Sequence, residues 1–321
     1  MTTAPPIPAI RTAPAASIRG TLSAYVRLSN LKVYFQWIPA VVGWSLAAQA
    51  FHLPGRSVVA LLLFILGVIA TACSAGTLDD VQGLRDGLDR QTYSADDALR
   101  GLPGKPLITG EISEQAAYRF AVATGAIGFA LGAVALFVAP HHPLWLVGCW
   151  PVAWFAATQY SYGIKLSYHG AGELLLGVEA VATTLIPVAF LTGGVSGAAL
   201  FEAYLLGTLF AQVTVFSSSQ DAEIDRAFAR MTMAARLSPE GNRRLIVGVF
   251  VVGWVVTAAG FASGALDPWL LAALLPIWAI QVAQLVQGLG RKCWLLARYL
   301  GFRAFDAGFA ALVVVNLLTH R

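Results

Sequence analysis

The chain has 321 residues, of which 57% are hydrophobic and 12% are charged, and its formal net charge is +4. Soluble domains are roughly 45–50% apolar and about 25% charged, so this composition excludes a water-soluble globular protein. The same apolar content excludes an intrinsically disordered chain. The sequence therefore predicts an integral membrane protein, and we expect no nucleic-acid partner because membrane topology accounts for the positive charge.

The N-terminal segment, residues 1–32, is rich in Ala, Pro, Ser and Thr. It contains Arg11, Arg19 and Arg27 but no early hydrophobic stretch. A cleaved signal peptide needs such a stretch, so the segment predicts a short cytoplasmic tail. The remainder, residues 33–321, is predicted to form one membrane domain.

Nine apolar segments follow, each long enough to cross about 30 Å of hydrocarbon, which takes roughly 20 helical residues. The predicted spans are residues 33–53, 57–78, 119–139, 143–162, 173–192, 198–217, 245–264, 268–288 and 299–318. Basic residues concentrate on the cytoplasmic side of membrane helices. With the N-terminus inside, 19 of the 21 basic residues fall on or near one face, and Arg56 and Arg321 fall on the other. We therefore predict an all-α, polytopic protein with nine transmembrane helices and a cytoplasmic N-terminus.

Two charged loops stand out on the predicted cytoplasmic face, at about 79–118 and 218–244. Twelve of the 17 acidic residues lie in these loops, whereas most other connections are short and nearly uncharged. Charged loops beside membrane spans are where binding and catalysis are best sought.

The first loop opens with an acidic motif directly after the second span. It contains four aspartates in eleven residues, namely Asp79, Asp80, Asp86 and Asp89. Crowded carboxylates repel one another unless a cation neutralises them. A set of oxygen donors without His or Cys favours Mg²⁺, which keeps water ligands and bridges to phosphates. The alternative interpretation is a solvated acidic helix end.

The second acidic motif comes directly after the sixth predicted span. The first motif has the same position relative to the second predicted span. Asp221 and Asp225 are four residues apart and share one face of a helix, a pairing that also arises by chance. Two such motifs at the mouth of a helix bundle could hold two Mg²⁺ ions and a diphosphate. We therefore expect Asp79, Asp86, Asp221 and Asp225 to face one cavity that opens to the cytoplasm.

These residues resemble the UbiA superfamily of membrane prenyltransferases over nearly the whole chain. Nine spans, with an aspartate-rich motif after the second and another after the sixth, form that family's layout. Shorter segments are also similar to the family: residues 27–30 (Arg-Leu-Ser-Asn), residues 105–110 (Lys-Pro-Leu-Ile-Thr-Gly), residues 160–161 (Tyr-Ser), residues 166–175 and residues 221–226.

The chain departs from the family pattern at two places. Family first motifs commonly read Asn-Asp-x-x-Asp-x-x-x-Asp, whereas here Asp79 stands for the Asn, and Gly83 and Gly87 stand for two Asp. The common Tyr-x-x-x-Lys is also altered, because Tyr160 and Lys165 are five residues apart. These departures leave open which of the four aspartates bind metal.

The resemblance implies a Mg²⁺-dependent enzyme of the plasma membrane that ionises an isoprenoid diphosphate, with its active site facing the cytoplasm. The implied catalytic residues are Lys105, Lys165, Arg226 and Tyr160. The implied substrate-binding residues are Arg27, Asn30, Lys105, Lys165 and Arg226. The implied metal ligands are Asp79, Asp80, Asp86, Asp89, Asp221 and Asp225.

Several reactions remain open on this scaffold. The leading one transfers the prenyl group to a small, aromatic acceptor. The alternative is a UbiA-type terpene cyclase, in which the double bonds of the substrate capture the cation. A solute transporter is disfavoured by the lack of broken mid-membrane helices, and a non-catalytic scaffold by the cost of two acidic clusters without an ion.

Two glutamates lie inside predicted spans, Glu179 in the fifth and Glu202 in the sixth. An intramembrane carboxylate is a functional hypothesis by default. Glu179 is a candidate for acceptor binding or for proton acceptance, and the alternative is a hydrogen bond between helices.

Overall fold

The structure is a computed structural model that describes residues 18–30, 34–47, 52–94 and 101–319. Within these ranges the regular structure is helical, and the sole extended pairing is an isolated bridge between Ser94 and Gly101. Most of the predicted N-terminal tail lies outside the described residues, as do parts of the first predicted span and of the first charged loop.

Twelve α-helices succeed one another along the described chain. They are α1 (Ile18–Leu28), α2 (Pro39–Ser45), α3 (Gly55–Asp86), α4 (Leu88–Thr92), α5 (Glu114–Val138), α6 (Leu144–Thr158), α7 (Gly172–Thr192), α8 (Gly197–Ala227), α9 (Met233–Arg236), α10 (Pro239–Ala262), α11 (Pro268–Leu285) and α12 (Trp294–Thr319). Short 3₁₀ turns cover Tyr34–Gln36, Leu102–Gly104 and Leu166–His169, and a π-helical turn, Val286–Gly290, continues α11.

Seven helices of the described chain are long and apolar enough to cross a membrane: α3, α5, α7, α8, α10, α11 with its π turn, and α12. They correspond to seven of the nine predicted spans. The predicted span 143–162 is the shorter apolar helix α6, of 15 residues. The predicted span 33–53 is described in part, as a 3₁₀ turn followed by α2. The chain is thus an integral, multi-pass membrane protein.

Helices α3 and α8 are much longer than the spans predicted for them, with 32 and 31 residues. At 1.5 Å per residue each is about 45–50 Å long, whereas the hydrocarbon layer is about 30 Å thick. Their last turns therefore extend beyond the hydrocarbon. Asp79, Asp80 and Asp86 lie near the end of α3, and Asp221 and Asp225 near the end of α8, so these aspartates are carried on long helices rather than on loops. Asp89 belongs to the short helix α4.

Close contact between α7 and α8 brings the second acidic motif next to the start of α7. The two helices cross at Gly177 and Gly207, where a Cβ added to Gly177 would lie 3.0 Å from the carbonyl oxygen of Gly207. Small residues at a crossing let membrane helices approach closely. Glu173, one turn before Gly177, is consequently placed beside Thr214 of α8, whose hydroxyl donates to the Glu173 carbonyl at 3.2 Å.

Candidate active site

Two cavities adjoin each other at the end of the bundle that carries both acidic motifs. The first, the polar cavity, has a volume of about 280 Å³. The second, the apolar cavity, has a volume of about 370 Å³. Asp79, Tyr160 and Leu176 line both cavities and so mark their junction.

Charged side chains of both signs line the polar cavity. Its acidic lining residues are Asp79, Asp89, Glu173, Asp221 and Asp225. Its basic lining residues are Lys105, Arg230 and Arg298. Both acidic motifs thus reach one cavity, and Asp89 is present there whereas Asp86 is not.

Lys105 is held between two carboxylates of the first motif. Its ammonium Nζ donates to Asp80 Oδ1 at 2.6 Å and to Asp89 Oδ2 at 2.8 Å, and it lies 4.5 Å from the centre of the Tyr93 ring. Burial alone would lower the pKa of Lys105, but Asp80 and Asp89 raise that pKa above its ordinary value. Lys105 therefore presents a fixed positive charge at the cavity wall.

The position of Asp89 depends on two glycines of the first motif. Gly87 ends α3 with φ 79°, in the left-handed region, and the chain turns back through α4. The Asp89 carboxylate then occupies the space beside Gly83, where an added Cβ would lie 2.6 Å from Asp89 Cγ. Gly83 and Gly87 stand at two positions where the family pattern has Asp. Gly87 makes the turn and Gly83 leaves the space, so the carboxylate of Asp89 reaches this part of the motif.

Asp86 lines neither cavity. It accepts a hydrogen bond from the Tyr168 hydroxyl at 2.5 Å and another from Gln82 Nε2 at 2.6 Å. Lys165 Nζ lies 4.0 Å from Asp86 Oδ1, so Lys165 also stands outside the polar cavity. Burial, followed by this hydrogen bond to Asp86, raises the pKa of Tyr168 above its ordinary value.

Arg230, and not the predicted Arg226, lines the polar cavity. The Arg226 guanidinium donates to the Ala235 carbonyl at 3.0 Å and does not line the cavity. The chain folds back after α8, with Ala229 at φ 55° and the Arg230 amide donating to the Asp225 carbonyl at 2.8 Å. Arg230 Nη2 then lies 3.6 Å from Asp79 Oδ1. The signal in the sequence was weak, because Arg230 is one of several arginines in a charged loop.

Arg298 also lines the polar cavity without having been predicted, since it belongs to α12, far along the chain from either motif.

Of the predicted substrate-binding residues, Arg27 pairs with Glu111 and lines neither cavity. Asn30, with φ 51°, lines the apolar cavity.

The second motif and Glu173 also line the polar cavity. Asp225 Oδ2 accepts a hydrogen bond from the Thr232 hydroxyl at 3.2 Å. Glu173 Oε1 accepts from the Met233 amide at 3.0 Å, whereas its Oε2 is buried with no hydrogen-bond partner. A buried carboxylate oxygen without a partner is costly, so this atom is suited to a ligand in the cavity.

The donors in the polar cavity suit Mg²⁺ bound together with a phosphate group. In the described ranges no three His, Cys, Asp or Glu side chains converge closely enough to form a ready-made metal site. Mg²⁺ usually needs only one or two carboxylates, and substrate phosphates and water complete its shell. The carboxylates of Asp79, Asp221 and Asp225 and the unpartnered oxygen of Glu173 meet that requirement.

The apolar cavity extends from the junction into the bundle. Its lining is dominated by small and aliphatic residues, among them Ala72, Ala75, Ala153, Ala156, Leu175 and Val178. Cys149 of α6 and Glu179 of α7 also line it. The two cavities together match an amphiphile with an anionic head and a hydrocarbon tail.

Comparisons with known proteins bear on the family and on the fold. Residues 37–300 match the UbiA prenyltransferase family. No curated protein matches the chain significantly by sequence. The fold is similar to that of a digeranylgeranylglyceryl phosphate synthase, with 13% identity, a TM-score of 0.64, and 93% of this chain and 99% of that chain covered.

Two archaeal structures share the fold as well. A UbiA homologue from Archaeoglobus fulgidus, bound to DMAPP and Mg²⁺, gives a TM-score of 0.63 at 15% identity and covers 91% of this chain and 99% of its own. An apo UbiA homologue from Aeropyrum pernix K1 gives a TM-score of 0.60 at 14% identity and covers 95% of this chain and 98% of its own.

Proposed function

The chain belongs to the UbiA prenyltransferase family, and from that premise we propose that it is a Mg²⁺-dependent membrane enzyme that transfers a prenyl group from an isoprenoid diphosphate to a small, aromatic acceptor. The observation that carries the proposal is the junction at Asp79 and Tyr160, where the charged cavity meets the apolar one. The solved homologue bound to DMAPP and Mg²⁺ supports the choice of donor and ion.

The diphosphate head belongs in the polar cavity. Lys105, Arg230 and Arg298 line it and supply positive charge for the leaving diphosphate. Asp79, Asp221 and Asp225 would hold Mg²⁺, with Glu173 as a further donor. When bound, the ion withdraws charge from the leaving group as a Lewis acid.

The remaining carboxylates of the first motif have supporting roles in this proposal. Asp80 and Asp89 fix Lys105 at the wall of the polar cavity. Asp86 orders Tyr168, and Lys165 and Arg226 support the surrounding loops.

The hydrocarbon tail belongs in the apolar cavity. Its walls exclude water, so a cation formed at the junction would be shielded from hydrolysis. The Tyr160 side chain lies at the boundary, where the bond between carbon and diphosphate would break. Asn30 is one of the few polar groups available to orient an acceptor inside this cavity.

The proposed topology completes the family layout. The segment containing α2 and the short helix α6 would be the first and fourth of nine spans, within a membrane domain of residues 33–321. The charge asymmetry of the sequence supports a cytoplasmic N-terminus, and with it an active site at the cytoplasmic face of the plasma membrane.

The proposal is tested by diphosphate release from the purified, detergent-solubilised protein. Farnesyl, geranylgeranyl and longer diphosphates are supplied with Mg²⁺, with and without aromatic acceptors. We expect release that depends on the acceptor and that falls by at least about 100-fold in Asp221→Ala. Release without acceptor, with a hydrocarbon product, would replace the transferase by a terpene cyclase. No release from any donor would contradict the proposed enzyme.

A further inference from the structure

Two glutamates lie within the membrane-spanning helices, and their surroundings differ. Glu202 of α8 accepts a hydrogen bond from Asn316 Nδ2 at 2.7 Å and lines neither cavity. Glu179 of α7 lines the apolar cavity, and no hydrogen bond or ion pair joins it to another described residue. Glu202 therefore has the bonding of a structural group, whereas the carboxylate of Glu179 is left available to a ligand.

The position of Glu179 is informative because the cavity around it is otherwise apolar. Glu173 and Glu179 are six residues apart on α7, which places Glu179 about 9 Å further along the helix axis. Glu173 lines the polar cavity and Glu179 the apolar one, so the second carboxylate lies past the junction, on the tail side. A charged group among aliphatic side chains is costly unless a ligand or a reaction uses it.

The chemistry assigned to this site requires a proton acceptor past the junction. The bond between C1 and oxygen breaks, and its electron pair leaves on the diphosphate. When an aromatic ring or hydroxyl of the acceptor donates an electron pair to C1, the new bond leaves an excess proton on the acceptor. When no acceptor intervenes, a neighbouring C–H bond supplies the pair for a new double bond. In each case one proton must leave within the apolar cavity.

We propose that Glu179 is the general base that takes this proton, an inference that rests on the proposed function. The proton is transferred from the cationic adduct, or from the carbon beside the cation, to a carboxylate oxygen of Glu179. Among the described residues that line the apolar cavity, Asp79 is the other carboxylate, and it lies at the junction 3.6 Å from Arg230. Asp79 is thus engaged by Arg230 and, in the proposed function, by Mg²⁺, whereas Glu179 has neither partner.

The test compares Glu179→Gln with Glu202→Gln as the matched control, each as the full chain in detergent with Mg²⁺. Geranylgeranyl diphosphate serves as the donor, and hydroquinone serves as the aromatic probe. Diphosphate release, prenylated hydroquinone, hydrocarbon and prenyl alcohol are all quantified. Thermal unfolding and quenching of tryptophan fluorescence by the donor check folding and binding.

In Glu179→Gln we expect the sum of prenylated probe and hydrocarbon to fall by about 100-fold, the usual size of a general-base contribution. Prenyl alcohol should make up a larger share of the remaining products, because a water molecule that enters the cavity and captures the cation passes its excess proton to further water and needs no protein base. The donor affinity should change less than about twofold. Glu179→Asp should recover part of the activity, and Glu202→Gln should keep the wild-type product distribution. A merely structural role for Glu179 would lower all products together.

The outcomes separate this inference from the function on which it rests. Wild-type release of diphosphate, combined with an unchanged product distribution in Glu179→Gln, would overturn the assignment of Glu179 alone. A wild-type protein that releases no diphosphate from this or any other isoprenoid donor would overturn the proposed function, and the role of Glu179 with it.

Discussion

The carboxylate of Asp89 occupies the space that a side chain at position 83 would need. Gly83 is therefore a residue of the first motif at which a single methyl group has a large expected effect. An added Cβ would lie 2.6–2.8 Å from the atoms of that carboxylate, closer than van der Waals contact permits. Asp89 would have to shift, and Lys105 would lose one of its two partners.

For Gly83→Ala we expect the affinity for an isoprenoid diphosphate to fall about tenfold, which corresponds to about 1.4 kcal/mol. The reason is that Lys105 is no longer fixed at the cavity wall. Gly248→Ala in α10 is the matched control, because nothing lies within 4 Å of the added Cβ there. Titration of tryptophan fluorescence with farnesyl diphosphate measures both variants, and equal affinities would show that Asp89 does not position Lys105.

A second prediction at the residue scale compares two lysines near the first motif. The Lys105 side chain is 10% exposed and touches two carboxylates, whereas the Lys165 side chain is 34% exposed and lies 4.0 Å from one. Removing one partner of a buried ion pair typically costs about 3–5 kcal/mol, and a more exposed pair contributes about 0–1 kcal/mol. Lys105→Met should thus lower the unfolding midpoint far more than Lys165→Met does.

The pH dependence of that difference follows from the directions of the Lys105 and Asp80 pKa shifts. A raised pKa in the folded state gives stability that is present below the ordinary lysine value of about 10.4 and is lost only above it. Burial also raises the pKa of Asp80, to about 7, and loss of the lysine charge in Lys105→Met would raise that pKa further. A buried carboxyl with a raised pKa costs folding free energy as the pH rises. The gap between Lys105→Met and wild type should therefore widen between roughly pH 7 and pH 9. A gap that closes within this window would show that Lys105 loses its proton there.

At the scale of elements, the site depends on helices that carry side chains from distant parts of the sequence into one space. The existence of the long helices and of both acidic motifs was predictable from hydropathy and from the order of charges. The choice between Arg226 and Arg230 was not, because it depends on the turn at Ala229 that folds the chain back under α8. The replacement of Asp86 by Asp89 in the polar cavity depends in the same way on the left-handed Gly87.

Helix α6 offers a direct prediction about the apolar cavity, because its Cys149 lines that cavity. In a Cys293→Ser background, with Cys73 buried, Cys149 is the thiol available to a small maleimide. Farnesyl diphosphate with Mg²⁺ should slow its alkylation at least about fivefold at a donor concentration well above Kd. Inorganic diphosphate, which has no tail, should leave the rate unchanged. Equal rates with and without the farnesyl donor would place the tail elsewhere.

At the scale of the whole molecule, the ion and the donor are expected to bind together. The described residues hold no ready-made cluster of three metal-binding side chains. Mg²⁺ in proteins usually takes its remaining ligands from substrate phosphates and water. Mg²⁺ alone should bind weakly, and inorganic diphosphate should tighten it by about tenfold or more, with the reciprocal effect of Mg²⁺ on diphosphate. Isothermal titration calorimetry in detergent measures the affinity for Mg²⁺ with and without diphosphate, and the affinity for diphosphate with and without Mg²⁺. Tight binding of Mg²⁺ without diphosphate would contradict this coupling.

The composition of the segments implied both a charged and an apolar region in the molecule. It did not imply which residues lie at the junction of the two cavities. Residues 79, 160 and 176 come from three separate parts of the chain, and only the packing of α3, α6 and α7 brings them together. Packing of this kind depends on the glycine contacts between helices, which no periodicity in the sequence reports. Many of the candidate residues could thus be predicted from the sequence, whereas their arrangement around the two cavities could be seen only in the structure.

The measurement that tests the central claim most directly is an experimental structure of the protein with Mg²⁺ and farnesyl thiodiphosphate, a donor that resists ionisation. We expect the diphosphate group between Lys105 and Arg230 in the polar cavity, and the farnesyl chain passing Tyr160 towards Glu179 in the apolar cavity. A head group bound outside the polar cavity, or a chain that leaves the apolar cavity empty, would refute the proposed binding mode.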